Sequence, residues 1–149
     1  MGTRLRLSDQ TGLTLGELVI AVAILAILSA MAVPAYLNFM KKAKMVEAEK
    51  ALHEIQKLED IYYNETDTYS DHLAAIGFFP IPSLRYYTIT IELGKGKGQS
   101  LYEATAKGNL DGDTDLDAWV LEMREDGTAE LKHGCIAGGQ GKITYTCSE

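Results

Sequence analysis

The stretch GLTLGELVIAVAILAILSAMAVPAY, Gly12 to Tyr36, decides how the whole chain is read. Inside it begins a run of 23 consecutive uncharged residues, Leu18 to Met40, bounded by Glu17 and Lys41. At 1.5 Å per residue a helix of that length spans roughly 35 Å, enough to cross the hydrocarbon core of a bilayer. The run is apolar on every side, whereas the core helix of a soluble domain carries a polar stripe. It exceeds the apolar region of about 7–15 residues in a secretory signal. It is also followed by Lys41, Lys42 and Lys44, not by a small-residue cleavage site.

The charge distribution divides the chain at the same place. Residues 1–44 hold five bases and two acids, while residues 45–149 hold nine bases and nineteen acids. The two parts suit different surroundings. The overall charge of −7 argues against non-specific nucleic-acid binding, which needs a basic face. With 149 residues, 46% of them apolar, one folded domain of ordinary size is expected beyond the membrane segment.

Glu17 is the anomaly. A carboxylate at the edge of a membrane helix is costly unless paired, and no cation lies in the turn that follows it. A cut between Gly12 and Leu13 would place a new α-amine one turn before Glu17, giving this carboxylate, or that of a neighbouring copy, a partner. With the short basic leader before it and Pro34 inside the apolar helix, Gly12-Leu13-Thr14-Leu15-Gly16-Glu17 resembles the processing motif of type IV prepilins. There are two departures: Leu13 stands where Phe is usual, and Gly16 where a branched aliphatic is common. The glycine costs about 1 kcal/mol of helix propensity relative to Ala.

The resemblance implies a leader over 1–12, a transmembrane and filament-core helix over 13–40 and a globular head over 41–149. A membrane prepilin peptidase would cut after Gly12 and methylate Leu13. The chain would wait in the inner membrane, its head in the periplasm, until an ATPase-driven assembly platform lifts it into a helical homopolymer at the cell surface. Glu17 would meet the Leu13 amine of a neighbour, and Pro34 would mark a kink or melted point.

The rest of the sequence predicts an α+β head. From Lys41 to about Glu65, Ala48, Ala51, Leu52, Ile55, Leu58 and Tyr62 recur at helical spacing, with Lys50, Glu54, Lys57 and Glu59 between them. One helix from about Thr14 to Asn64 is the economical reading. Alternation predicts strands over 85–93, 100–106, 117–124 and 128–132, with Tyr87, Ile89, Ile91 and Leu93 on one face and a hairpin at Asp126-Gly127. The expected architecture is a roughly four-stranded antiparallel sheet against the amphipathic half of the helix.

Three further groups of residues invite a functional reading. Cys135 and Cys147 are the only cysteines, and they read either as a disulfide in an oxidising compartment or as two separate thiols. The resemblance favours the bridge, which closes a C-terminal loop. Asp111, Asp113, Asp115 and Asp117 alternate through a turn, as calcium ligands do. Leu116 replaces the glycine an EF-hand needs, so the choice lies between an Asx-rich turn and a calcium site of another geometry. His53, His72 and His133 are scattered, and no nucleophile elbow, phosphate loop or CxxC motif is present, so no enzyme is expected.

The functional expectation is a major pilin serving adhesion, motility or DNA uptake, with no cofactor besides a calcium ion if the Asp loop holds one. The alternatives are a pseudopilin of a type II secretion system and a membrane-anchored calcium- or ligand-binding domain.

Overall fold

The computed structural model describes residues 12–80, 83–94, 100–139 and 141–145. A single helix, α1, runs Leu15–Thr66, and four strands follow: β1 Tyr87–Leu93, β2 Tyr102–Gly108, β3 Leu116–Met123 and β4 Ala129–Ile136. A 3-10 turn, Ala137–Gly139, closes the order. The strands form one antiparallel sheet in the order β1-β2-β3-β4, each paired with its predecessor in sequence. The chain divides into two compact units between Phe39 and Met40, a division that α1 crosses.

In the first unit the helix is apolar all round and its large side chains lie exposed, from Leu15 to Phe39. It is long and apolar enough to cross a membrane. Pro34 sits inside the helix, which continues through it. The second unit carries the core. Ala48, Ala51, Leu52 and Ile55 of α1 meet Ile89 and Ile91 of β1, Tyr102, Ala104 and Ala106 of β2, and Leu121 and Met123 of β3, with Ile76 and Phe78 of the intervening loop. Small residues on both layers let the backbones approach, and the larger aliphatics fill the space between.

Register explains the sheet's two faces. The rows Tyr87–Gly108–Asp117–Cys135 and Ile89–Ala106–Trp119–His133 share the core side. A Cβ on Gly108 would come within 2.3 Å of the Tyr86 carbonyl oxygen and 2.9 Å of the Tyr87 ring, so the glycine is what gives that ring its room. On the other side Ala118, Val120 and Ile136 are buried as well. Beyond β4 the chain returns to pair with it: Cys135 and Thr144 exchange both backbone hydrogen bonds at 2.9 Å. A Cβ on Gly134 would stand 2.7 Å from Ile143 and 3.3 Å from the Tyr145 ring.

Two expectations are corrected by this geometry. Glu59 lies at the buried face of α1, fully enclosed, and not among the solvent-facing charges. Leu93 shares a face with Tyr87, Ile89 and Ile91, as the alternation predicts, and is 37% exposed. Strand β4 continues to Ile136 where the alternation stopped at Lys132, because its ladder with β3 runs on to Leu116. The Asp126-Gly127 hairpin is present: Arg124 N donates to Thr128 O at 2.9 Å and Gly127 takes φ +79°. The Asp126 carboxylate accepts from the Thr128 hydroxyl and amide, which holds it below the ordinary carboxylate value.

Candidate functional site

The first site is the start of α1. Gly12, Leu13 and Thr14 precede the helix, all exposed, and Leu15 begins it. Thr14 acts as the N-cap. Its hydroxyl accepts from Glu17 N at 3.3 Å, and the Glu17 carboxylate reaches back to Thr14 N at 2.9 Å and to the Thr14 hydroxyl at 2.7 Å. This is a capping box, in which the threonine and the acid three residues later satisfy each other's backbone amides. The Thr14-x-x-Glu17 spacing carried that signal in the sequence. The local cap thus gives Glu17 a partner within its own chain, whatever else it meets. Pro34, the other residue singled out in this helix, lies two residues before Tyr36, within the exposed apolar stretch.

The second site is the acidic loop between β2 and β3. Asn109 shapes it: its amide donates to Asp113 O at 2.7 Å and its carbonyl accepts from Gly112 N at 2.7 Å. The four aspartates are then drawn to different partners. Asp111 meets Lys41 of α1 at 3.3 Å. Burial works to raise its carboxyl, and the Lys41 ammonium outweighs that and holds it below the ordinary value. Asp113 accepts from Asp115 N, and Asp115 accepts from Gly138 N, each at 2.9 Å. Beside them Lys44 donates to Leu110 O at 2.5 Å and lies over the Tyr86 ring. Two lysines of α1 therefore clamp the loop.

Asp117 belongs to another group altogether. Its side chain is only 8% exposed, and one oxygen accepts from the Tyr87 hydroxyl while the other meets His133 Nε2 at 2.7 Å. The His133 ring packs on Trp119 at 4.6 Å. Burial and the Asp117 carboxylate push the Tyr87 phenol far up, so it stays a donor. This line ties β1, β3 and β4 together across the bare backbone of Gly108. In the sequence His133 stands apart from the other histidines. The signal that places it is register: Trp119 is its direct partner, and Asp117 is the diagonal neighbour. Among the described residues, no group of three or more His, Cys, Asp or Glu side chains is placed to hold a metal ion.

The remaining site residues are the cysteines. Cys135 lies in β4 with its Sγ 3.8 Å from Thr144 O, and Cys147 falls outside the described residues. The acidic surface of β3 and β4 is internally paired: Lys132 meets Glu122 at 2.6 Å and Glu130 at 3.5 Å, and Arg124 pairs with Glu130. The bond to Glu122 foremost raises the Lys132 ammonium.

Comparison with known proteins gives two findings. Residues 34–116, more than half of the chain, match a family model described as "Type IV minor pilin ComP, DNA uptake sequence receptor". The chain is also 38% identical over 84 residues to the type IV major pilin protein PilA of Myxococcus xanthus (strain DK1622). That match covers 56% of this chain and 38% of the relative, so the chain spans well under half of the relative's length.

Proposed function

This chain belongs to the type IV pilin family, and from that premise we propose that it is the structural subunit of a helical filament, with its apolar half-helix as the filament core. The observation that carries the reading is the helix from Leu15 to Phe39, whose large apolar side chains all lie exposed in the single subunit. Such a surface is stable in a bilayer or bundled against copies of itself, not in water. The reading takes 1–12 as a leader removed by prepilin peptidase, Leu13 as the methylated new terminus and 13–40 as membrane anchor before assembly. The inner membrane is then the waiting place, and a surface pilus built by the platform and its ATPase is the destination. Pro34 is the point where the packed helix melts or bends. A Cys135–Cys147 bridge holds the C-terminal loop, as an oxidising compartment allows.

In this reading Glu17 changes partners, leaving its own Thr14 cap for the Leu13 amine of a neighbour. Glu17→Ala should leave the cut after Gly12 intact and abolish or cripple filaments, counted by electron microscopy of sheared cells. Normal filaments would remove the role given to the carboxylate. A bulky residue at Gly12 should leave uncut precursor in the membrane fraction.

The matched family's description raises direct DNA reception as a second reading. Against it stand the nineteen acids and nine bases of residues 45–149. Two of those bases, Arg124 and Lys132, are already engaged by glutamates. Phosphate contacts need free cations along one face. The preferred role in DNA uptake, if the filament serves it, is therefore structural, and adhesion and motility are roles of the same filament. A pseudopilin fibre differs in its length and in remaining below the cell surface. Mass spectrometry of sheared material distinguishes them: an abundant peptide beginning at methylated Leu13 supports the surface pilus, and the same peptide confined to membranes supports the pseudopilin.

A further inference from the structure

The end of α1 holds an arrangement that filament assembly does not require. Glu59 of α1 and Tyr102 of β2 are both fully buried. Glu59 Oε1 and the Tyr102 hydroxyl are among the buried polar atoms with no hydrogen-bond partner in the described structure. Next to them the chain leaves the helix, reversing through Asp67 at φ +56°. The segment that follows is fastened in two ways. The Tyr69 ring is wedged between Tyr63, at 4.6 Å, and Tyr102, at 5.1 Å. Ser70 N donates to Glu59 Oε2 at 3.2 Å, and Ser70 Oγ in turn accepts from His72 N at 3.1 Å.

A fully enclosed carboxylate with an unpaired oxygen is costly, while the neutral acid is much less so. The groups facing Glu59 are Asp60 of the same helix, Tyr69 and Ser70 of the following segment, and Tyr102 of β2. Burial, with Asp60 in support, disfavours the charge; the Ser70 amide favours it; burial dominates and pushes the carboxyl up. The phenols of Tyr69 and Tyr102 are pushed up by burial too, so they keep their protons while Glu59 titrates. Asp71 and His72 pair with each other at the surface, with side chains 55% and 81% exposed.

We infer that Glu59 is a proton-operated latch that holds the 67–73 segment against the end of α1. Protonated, it stays enclosed and the segment is shut; ionised, it turns out to water, releasing Ser70 and the Tyr69 wedge. The sign follows from the raised carboxyl. The closed state binds the proton more tightly than the open one, so the stability of the closed state is fully present below the ordinary carboxylate value. It is lost as pH rises through the higher value in the closed state. The inference concerns the head alone, and its failure leaves the filament reading untouched.

The test is amide hydrogen exchange on the full chain in detergent micelles, corrected for the intrinsic rate, from about pH 4.5 to about pH 8.5. Protection at 70–73 should fall about tenfold per pH unit above the ordinary carboxylate range, then level off. Glu59→Gln should flatten that dependence, and His72→Gln should leave it in place. A wild-type profile without pH dependence, or one that His72→Gln removes, would overturn the latch. If Glu59→Gln does not fold, the side-chain carboxyl ¹³C shift of Glu59 in the wild type decides instead. Its midpoint should lie above the ordinary carboxylate value, and Asp60→Asn should lower it. A midpoint at the ordinary carboxylate value sinks the proposal.

Discussion

At Gly108 the side chain that is missing matters as much as those around it. The Tyr87 ring crosses the bare backbone there to reach Asp117, and a methyl group would press on the Tyr86 carbonyl oxygen, backbone just before β1. Gly108→Ala should therefore cost about 1–3 kcal/mol, the usual price of overpacking, read as a lower urea midpoint with unchanged slope. Tyr87→Phe tests the other end of the same line. It leaves a buried Asp117 oxygen without its donor, and about 1–3 kcal/mol should be lost on that account. Single residues were unevenly legible. The Thr14–Glu17 spacing carries a capping signal, yet Glu17 reads in the sequence as an unpaired charge. Glu59 was placed among solvent-facing charges because of its type, although it stands four residues after Ile55 and seven after Leu52. Position on the helix, not chemical class, put it inside.

Among the elements, α1 was the most legible, predicted from about Thr14 to Asn64 and observed from Leu15 to Thr66. The apolar run and the 3.6-residue period both act over many turns, so a local departure does not shift them. The strands were found in number and order, with displaced ends. Period 2 is read over a few residues, and the turns between strands are set by contacts far along the chain, such as the return on Gly134. Two changes probe the helix. Leu52→Ala removes a fully buried side chain at the seam and should cost about 2–5 kcal/mol. Asp67→Gly should do the reverse: the left-handed conformation strains an L residue by about 1 kcal/mol, and glycine adopts it freely. Its signature is a higher thermal midpoint with the helix content unchanged in circular dichroism.

Over the whole molecule, the amino-acid sequence carried the fold class, one long helix and a four-stranded antiparallel sheet. What it left open was the use of the Asp111–Asp117 stretch, because alternation along a loop does not say where each carboxylate points. In the structure Asp111, Asp115 and Asp117 turn to Lys41, Gly138 and the Tyr87–His133 pair. Millimolar Ca²⁺ should accordingly leave the thermal midpoint of the full chain in micelles unchanged. A rise would mean that the loop rearranges to bind it, since a ligand that prefers the folded state stabilises it. The acid side has its own expectation. The Asp111 carboxyl is held low by Lys41, so this contact persists above the ordinary carboxylate range and fades as pH falls through the lower value in the folded chain. Lys41→Ala should loosen the loop near neutral pH and make no difference in strong acid, visible in hydrogen exchange at 110–113.

The strand order also sets a schedule. Each strand pairs with the one made just before it, so the sheet can grow as the chain is synthesised, without waiting for distant partners. The stretch 141–145 breaks that rule of immediacy only slightly, folding back past three left-handed glycines, Gly138, Gly139 and Gly141, onto a strand already in place. It is the last of the described pieces to leave the ribosome, and it lies against Gly134, the cross-strand neighbour of Ala118. A chain cut before Ile143 therefore keeps its four paired strands and loses the Cys135–Thr144 backbone pairing on the last of them. The β4 edge is then open to pairing with another strand, as any uncovered sheet edge is.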